Sequence, residues 1–262
     1  MNMRTYSKKY AFILVALYIA LQRTLPRLFT QKTMSREILL RLGLGLIAFC
    51  FVYLIVGKRV FSYFGKGTSY SISRLLILCL PSFLLCAMAL SISFGTEELV
   101  RNWLPQLLTQ FVLFLSVGFY EEMVYRVLIN DAVLTSLNKR KHVFLYAALI
   151  SAFLFGVTHI IDSSFHSKIE VISALLKIVS TGMIGTAFLF IFWKTENILG
   201  CMIIHMLFDF LPSIGNCLFE DTSVLHVEYV MDGRMGIMAI SVYCLEILWA
   251  SYILFRLWKN EL

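Results

Sequence analysis

Long apolar runs separated by short polar segments set the pattern of this chain. A crossing helix needs ~20 predominantly apolar residues. Eight runs meet or approach that length, near 10–28, 38–56, 72–94, 104–129, 143–161, 171–193, 197–219 and 236–258. None shows the alternation, in ~10-residue segments, that marks a membrane barrel. The pattern predicts an all-α fold, a polytopic helical membrane protein of about eight transmembrane helices. The first run is the weakest, because Gln22, Arg23 and Pro26 interrupt it, and a short or tilted helix is expected there. The amino-terminal stretch has the basic and apolar parts of a signal peptide without a small-x-small cleavage site, so it reads as a retained span. With no repeat, low-complexity stretch or soluble module in view, residues 1–262 read as a single transmembrane domain.

Composition agrees. The chain is 59% hydrophobic and 15% charged, with a mean hydropathy of +0.80, against about 25% charged residues in soluble domains. A net charge of +7 would suit nucleic acid, but the lysines and arginines sit between apolar runs, where they orient helices and meet headgroups. The bilayer, not nucleic acid, is the expected partner. Arg4, Lys8, Lys9, Lys58, Arg59, Lys66, Arg74, Lys139, Arg140 and Lys141 mark one side, and Glu97, Glu98, Glu220, Asp221, Glu228 and Asp232 the other. Both termini are therefore expected in the cytoplasm, in what reads as a bacterial plasma membrane. One loop disagrees, since Arg23, Arg27, Lys32 and Arg36 would face outward. The six cysteines fall in apolar runs without metal-like spacing and read as small buried hydrophobes.

Ionisable groups at membrane depth are costly, by about 2.5–3.5 kcal/mol each even on the gentler insertion scales, and mark function by default. The fourth run ends in GFYEEMVYR, which carries Glu121, Glu122 and Arg126; the fifth holds His159, and the seventh His205 and Asp209. Glu122 and Arg126 are four apart and share a helix face, whereas Glu121 points about 100° away and has no local partner. His205 and Asp209 are also four apart. Gly156, beside Phe155 and His159, lets another helix approach closely. Together these groups suit water activation: a carboxylate takes a proton, and imidazoles hold the water or a metal. Depth poses a difficulty. Glu121 would lie ~25 Å along its run and His159 ~24 Å along an antiparallel one, so they meet only if the fourth run extends into 130–142 or the fifth begins deeper. In the sixth and eighth runs, Lys177 is expected to snorkel to the surface, the alternative being a pair with Glu246, and Ser180, Gly182, Gly185 and Thr186 read as a packing face.

The order E-E-x-x-x-R, F-x-x-x-H and H-x-x-x-D, here Glu121-Glu122-Met-Val-Tyr-Arg126, Phe155-Gly-Val-Thr-His159 and His205-Met-Leu-Phe-Asp209, resembles the CPBP family, the CAAX-protease and bacteriocin-processing (Abi) group of intramembrane endopeptidases. The resemblance spans a catalytic core of about 104–219. It implies hydrolysis of a peptide bond in a membrane-associated protein or peptide. Glu121 would be the general base, His159 would hold the same water, and His205 and Asp209 would orient it or stabilise the oxyanion. Glu122 and Arg126 would fix the helix that aims Glu121. The family has been viewed both as metal-dependent and as glutamate-type, and His159, His205 and Asp209 are a candidate ligand set for a divalent metal such as zinc. Short loops and the absence of extra modules favour peptide or bacteriocin processing, or self-immunity, over CAAX-tail processing. The competing readings are a non-catalytic scaffold or immunity protein of the same fold and a proton-coupled transporter; the latter would call for inverted repeats or broken helices, and neither is seen.

Overall fold

The computed structural model describes residues 3–28, 33–220 and 229–261. Among these the chain forms ten α-helices and no strand: α1 (Met3–Thr24), α2 (Met34–Val56), α3 (Thr68–Leu75), α4 (Leu80–Thr96), α5 (Trp103–Glu122), α6 (Ile129–Ser136), α7 (Val143–Thr158), α8 (Lys168–Thr195), α9 (Ile198–Phe219) and α10 (Gly233–Glu261). The all-α, polytopic expectation is borne out. The side chains of Arg4, Lys8 and Lys9, and the whole of Lys32, Asp221 and Glu228, lie outside the described residues.

Each of the eight apolar runs folds as helix, and among the described residues five segments are by length and composition alone long and apolar enough to cross a membrane: Met34–Phe64, Thr68–Thr96, Lys168–Thr195, Ile198–Phe219 and Gly233–Lys259. The other three runs became α1, α5 and α7. α7 has 16 residues, short of the ~20 a crossing needs. In α1 and α5, the polar residues that dilute the apolar pattern (Gln22 and Arg23, and Glu121) line an internal cavity. Helices α1, α5 and α7 thus combine the apolar pattern of a span with polar residues that line the cavity.

The central element is a rod. α5 passes without a break into a π-helical turn, Met123–Leu128, and on into α6. All six residues of the turn are buried, as expected for a helix surrounded by others. The backbone N–H of Ile129 reaches five residues back to the Val124 carbonyl. On return to α spacing the Tyr125 carbonyl is passed over, and Ser151 Oγ of α7 donates to it at 2.8 Å. The far end of the rod is tied down where Tyr63 Oη donates to Asp131 Oδ2 (2.9 Å) and Trp193 Nε1 to Asn130 Oδ1 (2.8 Å). This rod removes the difficulty over depth. Because the helix continues to Ser136, α7 runs antiparallel along its α6 half and ends level with Tyr125, whose hydroxyl donates to Thr158 Oγ1 at 2.9 Å.

Loops gather at two ends of the bundle. At one, Arg59 pairs with Glu196 and Asn197 Nδ2 donates to the Gly65 carbonyl. At the other, Arg23 pairs with Asp162 (2.9 Å), Ser167 Oγ donates to Asp232 Oδ1, and the Val100 N–H donates to the Leu218 carbonyl.

Small residues set the helix spacings. A Cβ on Gly118 would stand 2.6 Å from the Met202 carbonyl oxygen of α9, and one on Gly156 would stand 2.4 Å from the Ile178 carbonyl oxygen of α8. Backbone atoms of this kind cannot step aside without moving their helices. Gly118→Ala is therefore expected to push α9 away from α5, at a cost of about 1–3 kcal/mol for overpacking, and to displace His205 and Asp209 with it. Thermal unfolding in detergent, together with a cleavage assay, checks both parts. The expected packing face of α8 divides its work: Gly182 lies against Ala152 and Gly185 under the Phe155 ring, while Ser180 turns to α10 and donates to Glu246. Lys177 neither snorkels nor meets Glu246; its ammonium stands over the rings of Tyr229 (4.5 Å) and Tyr243 (5.2 Å). Cys79, Cys86, Cys201 and Cys217 are buried as expected, but Cys50 and Cys244 are exposed on the outer helix faces.

Candidate active site

Glu122 and Arg126, four apart at the start of the π turn, are both fully buried, with Arg126 Nη2 3.0 Å from Glu122 Oε1. The same carboxylate oxygen accepts from His205 Nδ1 at 2.7 Å. The guanidinium lies over the Phe155 ring, 4.3 Å from its centroid, with Phe188 on another side at 5.5 Å. Cation–π contact of this kind offsets part of the lost hydration, and Phe188 also stacks on the His205 ring.

His205 is held among three carboxylates. Its Nδ1 faces Glu122, and its Nε2 is 3.3 Å from Asp209 Oδ2 and 3.5 Å from Glu121 Oε2. With carboxylate oxygens on both sides, both ring nitrogens act as donors. Asp209 is the more open of its neighbours, its side chain 32% exposed, against 14% for Glu121. Glu121 Oε2 is buried and has no hydrogen-bond partner among the described residues.

His159 sits just past the end of α7. Its Nδ1 is 2.8 Å from the Phe155 carbonyl oxygen; a carbonyl only accepts, so Nδ1 carries the proton and Nε2 keeps its lone pair. Thr158 Oγ1 donates to the same carbonyl at 2.9 Å, and the Phe155 and Tyr229 rings flank the imidazole at 5.0 and 5.2 Å. Glu121, His159 and Asp209 line one open cavity of about 1520 Å³, with Tyr125, Thr158 and Tyr229. Its outer wall carries Arg23, Arg27 and Asp162, which places the mouth at the Arg23–Asp162 end of the bundle.

The candidate metal ligands do not come together as a set. Among the described residues no three His, Cys, Asp or Glu side chains are placed to hold a metal ion. His205 turns both ring nitrogens to carboxylates and has no lone pair to give, so His159, His205 and Asp209 do not fit the three-ligand group that zinc takes.

Residues 102–211 match the family model described as type II CAAX prenyl endopeptidase, Rce1-like. The match supports the resemblance to the CPBP family that the sequence motifs carry. No curated protein and no solved structure matches the chain. The matched segment begins at the foot of α5 and ends two residues after Asp209, so Glu121, Glu122, Arg126, His159, His205 and Asp209 all fall inside it. The structure thus brings five of the six sequence candidates into one linked group, Arg126–Glu122–His205–Glu121 and Asp209, and sets His159 on the wall that Glu121 and Asp209 share.

Sequence reasoning missed other parts of the candidate site. Tyr125 follows Glu121 by four residues and could have been read as a same-face neighbour. The His205–Glu122 bond joins α9 to the rod across 83 residues and left no local signal. Tyr229 lies outside the matched segment, in an ordinary polar connection, and nothing in its surroundings marked it.

Proposed function

We propose that this chain is a membrane-embedded endopeptidase in which Glu121 activates water against a peptide bond. The observation that carries the reading is that Glu121, which has a carboxylate oxygen without a hydrogen-bond partner, and His159, whose Nδ1 is held by the Phe155 carbonyl, line one cavity. A water between them donates one hydrogen to Glu121 and the other to His159 Nε2. The water oxygen attacks the carbonyl carbon as Glu121 takes its proton, and the carbonyl electron pair moves onto oxygen. Collapse of the tetrahedral species breaks the C–N bond, and the leaving amine takes the proton from Glu121. Glu122, held by Arg126 and bonded to His205 Nδ1, fixes the imidazole that stands beside Glu121. His205 and Asp209 set the charge around the base, while the fold excludes lipid from the group.

The family supports a membrane protease acting on a membrane-associated protein or peptide, and the position of the mouth bears on which kind. With both termini in the cytoplasm, the end carrying Arg23, Asp162 and Asp232 faces away from it. Arg23, one of the basic residues that argued against this orientation, is held by Asp162 in the cavity wall and has a structural reason to be there. A cavity open to the outer face favours an exported leader or bacteriocin-like peptide over a cytoplasmic prenylated tail. The test is cleavage, by purified protein in bilayers, of a panel of leader peptides, membrane-anchored proteins and prenylated tails. Leader cleavage is expected; no cleavage of any substrate, by protein that protects its own cells from a peptide toxin, would favour the immunity-scaffold reading.

Because the donors do not form a metal-ligand set, turnover is expected to persist undiminished after exhaustive chelation and dialysis. Loss of turnover that is restored by added zinc would overturn the glutamate-type mechanism.

A further inference from the structure

Hydrolysis by Glu121 leaves one requirement unmet: a hydrogen-bond donor for the oxyanion that forms on the substrate carbonyl. Removing one such donor from an acyl-transfer site costs about 10²–10³ in kcat, so an intramembrane protease needs one. The donors around this cavity are mostly engaged. His205 gives its two N–H groups to Glu122 and to the Asp209–Glu121 side. Tyr125 gives its hydroxyl proton to Thr158, whose own proton goes to the Phe155 carbonyl. Arg23 pairs with Asp162; Arg41 lies 3.6 Å from Glu37, and its buried Nε has no hydrogen-bond partner among the described residues.

Tyr229 is different. Its backbone is anchored by Tyr243 Oη, which donates to its carbonyl at 2.8 Å. Its ring meets the His159 imidazole edge-to-face at 5.2 Å, and it lines the cavity beside Glu121 and Asp209. Among the described residues its hydroxyl makes no hydrogen bond. Burial, then the charges of Asp209 and Glu121, push that hydroxyl above the ordinary tyrosine range, so it keeps its proton and serves as a donor. The Lys177 ammonium stands 4.5 Å from the centre of the ring. A cation over an aromatic face draws electron density toward itself and strengthens the phenol as a donor.

We infer that Tyr229 is a further catalytic residue, donating a hydrogen bond to the oxyanion of the tetrahedral intermediate, and that Lys177 is its positioning residue. The inference rests on the endopeptidase reading above and adds to it a group from outside the family-matched segment. In the scheme the carbonyl oxygen accepts from the Tyr229 hydroxyl as negative charge develops, and the proton stays on the phenol throughout. A residue beyond the catalytic helices thereby completes the site.

The test compares wild type, Tyr229→Phe, Lys177→Met and Lys177→Arg in bilayers, on a peptide that wild type cleaves. Tyr229→Phe removes one oxygen and keeps the ring on His159 and under Lys177. It is expected to lower kcat about 10²-fold, with KM and the unfolding temperature unchanged. Lys177→Met should lower kcat by a smaller factor, and Lys177→Arg, which keeps a cation over the ring, should restore it. Wild-type kcat in Tyr229→Phe would overturn the inference while leaving the protease reading intact. A loss carried by raised KM or a lowered unfolding temperature would make Tyr229 structural and overturn it equally. Should wild type cleave nothing in the panel, the protease reading and this inference fall together.

Discussion

Glu121→Gln is expected to lower kcat about 10³-fold, within the range a general base supplies, and to leave the bundle as stable as before. The two halves of that expectation rest on one fact. Glu121 Oε2 has no hydrogen-bond partner among the described residues, and its nearest ionic neighbour, His205 Nε2, stands at 3.5 Å. An amide of the same shape breaks no close internal bond, so the fold loses little. The same amide cannot take a proton from water, so the chemistry stops. Substrate affinity should hold, since the change falls at the reacting atoms and not on the walls that grip the peptide; kcat and KM measured separately, beside an unfolding curve, resolve the three quantities. Cleavage at the wild-type rate would show that another group is the base, and His159 Nε2, the free lone pair on the same wall, would be the next to test.

Arg126→Ala should have the largest effect on stability, about 3–5 kcal/mol, the cost of leaving one partner of a buried ion pair behind. Glu122 and Arg126 are both fully buried. Without the guanidinium, Glu122 would keep only its bond from His205 Nδ1, and a void would open between Phe155 and Phe188. Arg126→Lys is not conservative here, because a compact ammonium cannot lie flat on the Phe155 ring as the guanidinium does at 4.3 Å. Adding Glu122→Gln to Arg126→Ala should recover part of the loss, since the remaining group is then neutral. A double-mutant cycle by chemical denaturation in detergent measures that coupling. Independent, additive losses would mean that the two groups do not depend on each other.

The legible part of this molecule was what helix periodicity and the cost of buried charge can carry. Apolar runs of crossing length are visible in any window, so the all-α membrane fold followed from them. An i,i+4 pair is a local relation, so spacing alone puts Glu122 with Arg126, and His205 with Asp209, on shared helix faces. What could not be read was long-range or concerned helix ends. The polar segment NDAVLTSLNKRKH left further helix and an interfacial turn equally open; its first part is helix, where Asp131 and Asn130 find Tyr63 and Trp193 as partners. Gln22 and Arg23 looked like faults in a span, whereas a cavity inside the bundle gives them somewhere polar to face. The expected choice for Lys177, surface or Glu246, omitted two tyrosine rings brought in from the last loop and helix. Glu246 itself is served by Ser180, a residue assigned only to packing.

The π turn at Met123–Leu128 has a further meaning for how this chain can vary. A π turn is an α-helix with one residue too many in a single turn, so the residues above it and below it need not share one rotational phase. Upstream, Glu121 and Glu122 are aimed by α9 and the cavity; downstream, Asn130 and Asp131 are clamped by Trp193 and Tyr63. The passed-over Tyr125 carbonyl is claimed by Ser151 of α7, on the helix that leads to His159. The wide turn works like a slip coupling on a shaft. The anchoring half can shift without turning the carboxylates, and the hydroxyl that locks the coupling belongs to the helix whose end carries the imidazole.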